Sequence, residues 1–461
     1  MVREIANPTL EASTADPQSG EPLEVGYASQ LFVDDHLVAH RRSVHRRLNR
    51  PVKGREPCLV PEHLWEGGSV LYSCVIEEED DYRLFYKAKN WSPKPDSKTR
   101  STTICVARSE DGLRFEKRPV EGSVHEGSNI VLDDAIDDFT VYKDESEPDP
   151  ARRYKLLASR GTWREGLTSA TSPDGVSWTW GTPHAVRYFG DRMSYWYDPV
   201  RARHVAWSRN IELYPDRITV ESTSEDFETW SHPRVAMMPD RGDHPDSQIY
   251  GAYAFWYQSV YLAYVEIYEV AHQRLRTELA SSRDGLRWSR LCGHDVFLPN
   301  GEHGEFDAYW VVPTFNPPVL RDDRLLIHYG GRPDPHVQPG FGHVCPGMGG
   351  SLAVSELRED GFVSLDATGV TGDVTSKVLR FPNPARSLAI NVGPFNTRDG
   401  YDRMQVELTL MDDGLALGSW AIEDDERNVW QTIPLPDGLP DSAAIQFRMK
   451  NARLYSFKFC R

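Results

Sequence analysis

The chain has 461 residues, 39% of them hydrophobic and 26% charged, the composition of a globular protein with room for two or three domains or for one repeat array and a module. A net charge of −17 argues against nucleic acid and anionic membranes as partners, since both select clustered Lys and Arg. No apolar run approaches the ~20 residues that cross a bilayer, and the six cysteines (Cys58, Cys74, Cys105, Cys292, Cys345, Cys460) form no C-x-x-C pair of zinc-site type.

Residues 1–25 are rich in Pro, Ser, Glu and Asp and read as disordered. They hold no apolar stretch of export-signal type, so a cytoplasmic protein with reduced thiols is expected. Asp34 and Asp35 follow in a strand and turn read as structural.

From there a pattern recurs. Strands at 70–76 and 82–87 form a hairpin, a third lies at 103–108, and Ser109-Glu110-Asp111-Gly112-Leu113-Arg114-Phe115 closes the unit. The second unit has strands at 139–143, 154–159 and 167–171, then Ser172-Pro173-Asp174-Gly175-Val176-Ser177-Trp178. The third has 194–197, 204–208 and 218–223, then Ser224-Glu225-Asp226-Phe227-Glu228-Thr229-Trp230. The fourth has 253–257, 260–265 and 277–281, then Ser282-Arg283-Asp284-Gly285-Leu286-Arg287-Trp288. The fifth has 314–320, 325–329 and 351–354, with a degenerate closing turn at 355–362. Asp-Gly between strands signals a tight turn, because positive φ suits Gly. Four short strands occurring five times predict a five-bladed β-propeller over residues 26–368. Alternating strands at 403–410, 416–420, 444–449 and 454–459 predict a β-sandwich over 369–461.

This all-β order, with its Ser-x-Asp-Gly-x-x-Trp turns and appended sandwich, resembles the five-bladed propeller glycoside hydrolases of families 32, 43, 68 and 130. Such families place a carboxylate on the inner strand of each of the first three blades. Leu64-Trp65-Glu66-Gly67-Gly68 ahead of Leu84-Phe85-Tyr86 matches the first motif, which makes Glu66 the first acid. Asp137-Asp138-Phe139-Thr140 and Gly190-Asp191-Arg192-Met193 match the second and third, which makes Asp138 and Asp191 the others. All three motifs depart from the family pattern. The resemblance implies Glu66 as nucleophile or base, Asp191 as acid and Asp138 as a charge that raises the acid's pKa. A turn or capping role is the alternative for each acid.

Equivalent positions in later units add Asp246, Glu302, Glu305 and Asp307, with Glu266 ending the fourth hairpin. The rim candidates for sugar contact are Trp65, Arg192, Tyr250, Trp310, His328 and Arg332. The stretch 333–350, with His336, His343 and Cys345, is a long loop in the fifth unit whose spacing matches no metal motif. The expected partner is a small carbohydrate, with no cofactor and no metal. Three functions stay open: hydrolysis or transfer of glycosidic bonds, phosphorolysis, and sugar binding without catalysis.

Overall fold

The structure is a computed structural model and describes residues 2–4, 21–89, 102–134, 136–160, 166–190, 192–210, 216–337, 349–395, 403–422 and 429–461. The chain is an all-β protein; among the described residues the helical segments are three single 3-10 turns, Leu64–Glu66, Pro150–Arg152 and Leu291–Gly293.

The repeat units fold as antiparallel sheets wound about a common axis, as a β-propeller. Unit one is Val70–Glu77, Tyr82–Lys89, Thr102–Ser109 and Ile130–Asp133. Unit two is Ile136–Lys143, Tyr154–Arg160, Leu167–Ser172 and Thr179–Trp180; unit three is Met193–Asp198, Arg203–Asn210, Ile218–Ser224 and Arg234–Met237. Unit four begins Ser247–Tyr257, Val260–Glu269 and Arg274–Ser282, and unit five contains Trp310–Pro313, Arg324–Arg332 and Ser351–Arg358. A single parallel pairing, Leu275 with Trp310, joins these two into one sheet. The second strands, such as Val205-Ala206-Trp207 and Leu262-Ala263-Tyr264-Val265, are buried on both faces because each sheet packs between neighbours.

Hydrogen bonds tie successive units together. Val141 N donates to Cys74 Sγ (3.5 Å), Thr140 Oγ1 to Met193 O (3.3 Å), Ser194 Oγ to Ala252 O (2.6 Å) and Thr277 Oγ1 to Val311 O (2.9 Å). Phe315 N donates to Ser73 O at 2.9 Å, bringing the fifth unit back onto the first.

The Ser-x-Asp-Gly turns are self-bonded and reach sideways. In unit one, Asp111 and Gly112 N–H groups donate to Ser109 Oγ, while Leu113 and Arg114 N–H groups donate to Asp111 Oδ1. Units two and four repeat the set, with Gly175 and Gly285 at φ 74° and 68°. Each turn leans on the preceding unit: Arg83 donates to Asp174 O, and Arg321 to Asp111 O.

The outer strand of unit five is borrowed. Val52–Lys53 pairs with Glu356 and Ser355, so a segment ahead of unit one completes the last sheet. The domain boundaries expected at 26 and 368 therefore shift. Val38–Arg42 pairs with Gly372–Ser376, His45–Leu48 with Val363–Ala367, and Gln30–Leu31 with Ala452–Cys460. Even Val2–Glu4, inside the segment expected to be disordered, pairs with Trp420–Ile422 of the tail. The tail comprises sheets of eight and six strands enclosing one apolar layer that includes Phe32, Leu408, Phe447 and Phe457. The reason is that C-terminal strands alone leave sheet edges open, and the N-terminal strands cover them.

Candidate functional site at the bulged inner strands

Three inner strands carry an extra residue near their starts. Tyr72 is extra between Leu71 and Ser73, residues 137–138 are squeezed between Ile136 and Phe139, and Tyr250 is extra between Ile249 and Gly251. A bulge re-aims a side chain that strict alternation would send elsewhere. Tyr72 accepts φ 48°, an uncommon conformation for a bulky side chain, and Arg192, just ahead of the unit-three inner strand, sits at φ 51°. Tyr72, Asp138, Arg192 and Tyr250 are thus presented at the same end of four successive units.

Arg192 is the hub. Its Nε donates to Glu266 Oε2 at 2.7 Å, its Nη2 bonds Glu266 Oε1, and its Nη1 lies 3.4 Å from Asp138 Oδ2. The rings of Tyr72 and Phe315 lie against the guanidinium at 4.3 and 3.9 Å. Asp138, Arg192 and Glu266 are each buried to 3% exposure or less. Gly251 makes room for them, since a Cβ there would sit 2.5 Å from Arg192 Cγ and 2.7 Å from Glu266 Oε2. Asp138 accepts from Phe139 N (2.9 Å) and Met193 N (3.1 Å). Burial pushes its carboxyl up to about 6, against the opposing pull of Arg192 and Lys87. Burial works against the Arg192 charge, yet Glu266 and then Asp138 hold its pKa above the ordinary value. Lys87 donates to Asp137 O and lies 4.3 Å over the Tyr72 ring.

A patch of aromatic and basic groups adjoins this hub. Tyr250 donates or accepts with His336 Nε2 at 3.0 Å, and Trp310 stacks on His336. Arg209 Cζ lies 4.5 Å and Arg217 Cζ 5.8 Å from the Tyr250 ring, while Arg332 Cζ lies 4.2 Å from the Trp310 ring. Arg209 N donates to Arg192 O, which joins patch and hub through the backbone.

Most of the other described sequence candidates lie elsewhere. Glu66 is fully buried, but its carboxylate accepts from Glu62 N (2.7 Å), His63 N (2.8 Å), Tyr86 OH (2.7 Å) and Lys117 Nζ (2.9 Å). Burial alone would raise its pKa; the two backbone donors, then Lys117 and Tyr86, hold it below its ordinary value. None of these partners belongs to the Arg192 hub, so the structure does not join Glu66 to Asp138. Trp65 stacks on His63 beside it. Asp191 falls outside the described residues, as do His343 and Cys345. Asp307 is tied by Lys53 (2.5 Å) and Tyr329 OH (3.0 Å), and so fastens the borrowed strand. His328 Nε2 bonds Gly112 O at 2.7 Å, and burial lowers its pKa to about 4. Asp246 accepts from Ala271 N (2.9 Å) and pairs with His244 at the molecular surface. Glu302 N donates to Glu305 in an exposed turn. Asp34 pairs with Arg283 of the fourth turn at 2.8 Å, and Asp35 with Arg46 at 2.6 Å, both structural.

Tyr72, Lys87, Arg209, Arg217 and Phe315 were missed in the sequence. A signal existed for Lys87 and Arg209: with Glu266 they occupy the same step of the second strand in units one, three and four, five residues beyond the partner of the turn serine. Among the described residues, Asp240, Asp243 and His294 come close enough together to hold a cation, but the Arg290 guanidinium bonds both Asp243 and His294.

No family model and no curated protein sequence matches the chain. Solved structures are similar in fold. One is an N-acetylgalactosamine deacetylase from F. plautii in complex with blood group B trisaccharide, at 13% identity and TM-score 0.47, covering 70% of this chain and 97% of that one. A second belongs to glycoside hydrolase family 130, at 14% identity and TM-score 0.46, covering 67% and 94%. A third is the catalytic domain of a Coprinopsis cinerea family 62 α-L-arabinofuranosidase, at 12% identity and TM-score 0.45, covering 67% and 96%. This chain is similar to them at those levels, and the propeller itself stands on the strand pairing and ring closure described above.

Proposed function

We propose that the chain hydrolyses or transfers glycosidic bonds of a small glycoside or oligosaccharide at the bulged ends of the inner strands. The observation that carries this is the buried pair of carboxylates, Asp138 and Glu266, on one arginine at the axis of a propeller. Cleavage needs a proton for the leaving oxygen and a carboxylate near the anomeric carbon. Asp138, with its carboxyl at about 6, is suited to hold and release that proton near neutrality. Glu266 is the second carboxylate, and Asp191, next to Arg192 in sequence, is a third candidate. Arg192 positions Asp138 and Glu266.

The test is a screen of aryl glycosides and short oligosaccharides, with product stereochemistry read by NMR. Asp138→Asn should lower turnover by about 10²-fold or more while the far-UV spectrum stays unchanged. Undiminished turnover by that variant would remove Asp138 from the chemistry.

A further inference from the structure

We propose that Tyr72 is a catalytic residue of this site: its phenol hydroxyl meets the sugar and donates a hydrogen bond to a ring or glycosidic oxygen beside Asp138. This rests on the glycosidic reading of the same site.

The backbone gives the first indication. Tyr72 is the extra residue of the unit-one inner strand, between Leu71, paired with Lys87, and Ser73, paired with Tyr86. Its φ of 48° is costly for a bulky residue and persists only where the surroundings impose it. Here the surroundings are the hub. Lys87 Nζ and Arg192 Cζ each lie 4.3 Å from the centre of the Tyr72 ring. Both cations are themselves held, Lys87 by Asp137 and Arg192 by Glu266 and Asp138. The ring also packs against the cluster that contains Tyr250 and Trp310. Its orientation is therefore set before a ligand arrives.

The hydroxyl is used for none of this. It makes no hydrogen bond among the described residues and is not shut away from water. Other strand tyrosines spend theirs inside the protein: Tyr86 donates to Glu66, Tyr261 to Asp198 and Tyr329 to Asp307. Tyr72 is half-buried, whereas Asp138, Arg192 and Glu266 are at most 3% exposed. The Asp137 side chain, beside Lys87, is 40% exposed, so the hub opens to solvent where Tyr72 stands. Burial of the ring, then Tyr250, holds the phenol well above its ordinary range against the pull of Arg192. The hydroxyl thus keeps its proton and acts as a donor, not as a nucleophile. A ring needed for packing alone is served equally by phenylalanine, which stacks under cations without the hydroxyl.

The experiment compares the full-length wild type with Tyr72→Phe, which keeps the ring and removes only the hydroxyl, and with Asp138→Asn. The probes are 4-nitrophenyl glucosides, galactosides, mannosides, xylosides and arabinofuranosides for turnover, and the five free sugars for calorimetric binding. Tyr72→Phe should keep the wild-type unfolding midpoint and lower kcat/KM about tenfold or more on the glycoside that the wild type cleaves. The pH at which the rate falls should stay where it is in the wild type, since Tyr72 does not titrate there. Turnover by Tyr72→Phe within twofold of the wild type overturns the proposal, and with an inactive Asp138→Asn it leaves the glycosidic reading standing. A lost rate that only matches a lowered midpoint also overturns it, because the hydroxyl would then serve the fold. If the wild type cleaves none of the glycosides but binds a sugar about tenfold more tightly than Tyr72→Phe does, the glycosidic reading falls and the sugar contact of Tyr72 stands. Binding of no sugar together with turnover of no glycoside overturns both.

Discussion

Arg192 and Glu266 meet in a two-point pair, Nε to Oε2 at 2.7 Å with Nη2 on Oε1, and Arg192 also reaches Asp138 at 3.4 Å. Both partners are almost wholly out of water. Removing one partner of such a pair strands the other charge, at about 3–5 kcal/mol, whereas removing both together costs far less. Glu266→Ala and Arg192→Ala should each lower unfolding stability by that order. The double variant should fall well short of their sum in a denaturant titration. Additive losses would mean that the pair is not coupled.

The pH dependence follows from Asp138. Its carboxyl is raised to about 6 in the folded protein, against about 3.9 in an unfolded chain. The native state therefore holds this proton more tightly. Its contribution to stability is fully present below the unfolded value and is lost as pH rises through about 6. Unfolding free energy measured between those values should decline with pH in the wild type and decline less in Asp138→Asn. In a turnover assay in which Asp138 donates the proton, the rate should fall above about pH 6. A flat stability profile in that window for the wild type would contradict the buried, proton-holding state of Asp138.

The third Ser-x-Asp turn has Phe227 where the others have Gly, at φ 67°. Two effects compete on changing Phe227→Gly. Relief of the left-handed backbone gains about 1–2 kcal/mol. Loss of the ring, buried at 1% exposure and packed on Tyr195 and His204 at 5.2 and 5.4 Å, costs about 3–5 kcal/mol. Packing should win, and the thermal midpoint should drop. A raised midpoint would show that strain outweighs the ring contacts.

Truncation after residue 368 should do more than expose a surface. The propeller and the tail sheets share Asp360, whose carboxylate accepts from Tyr257 OH and from Ser456 Oγ, both at 2.7 Å. The N-terminal strands would also lose their partners in Gly372–Ser376 and Ala452–Cys460. The truncated chain should be insoluble or melt well below the full chain. A soluble product with an unchanged midpoint would show that the propeller stands alone.

The repeat was legible because its cause is local. Ser109, Asp111 and Gly112 bond one another within a few residues, and the same letters return in Ser172-Pro173-Asp174-Gly175 and Ser282-Arg283-Asp284-Gly285. Asp138, Arg192, Tyr250, Glu266, Trp310 and Arg332 could be named from their place in each unit, since the unit sets which end of a strand faces the axis. Tyr72 could not, because only the pairing of Leu71 with Lys87 and Ser73 with Tyr86 shows it to be the extra residue.

Local hydrogen bonding and strand periodicity, both written in the sequence, determined the units, their turns and the all-β class. Which acids meet was decided by tertiary structure alone. Glu66 and Asp138 stand at similar places in their motifs, yet Glu66 turns to Tyr86, Lys117 and two backbone N–H groups while Asp138 meets Arg192. The borrowed Val52–Lys53 strand and the N-terminal strands of the tail were likewise set by long-range pairing. An edge strand's partner depends on which open edge lies beside it after folding, and no local pattern encodes that.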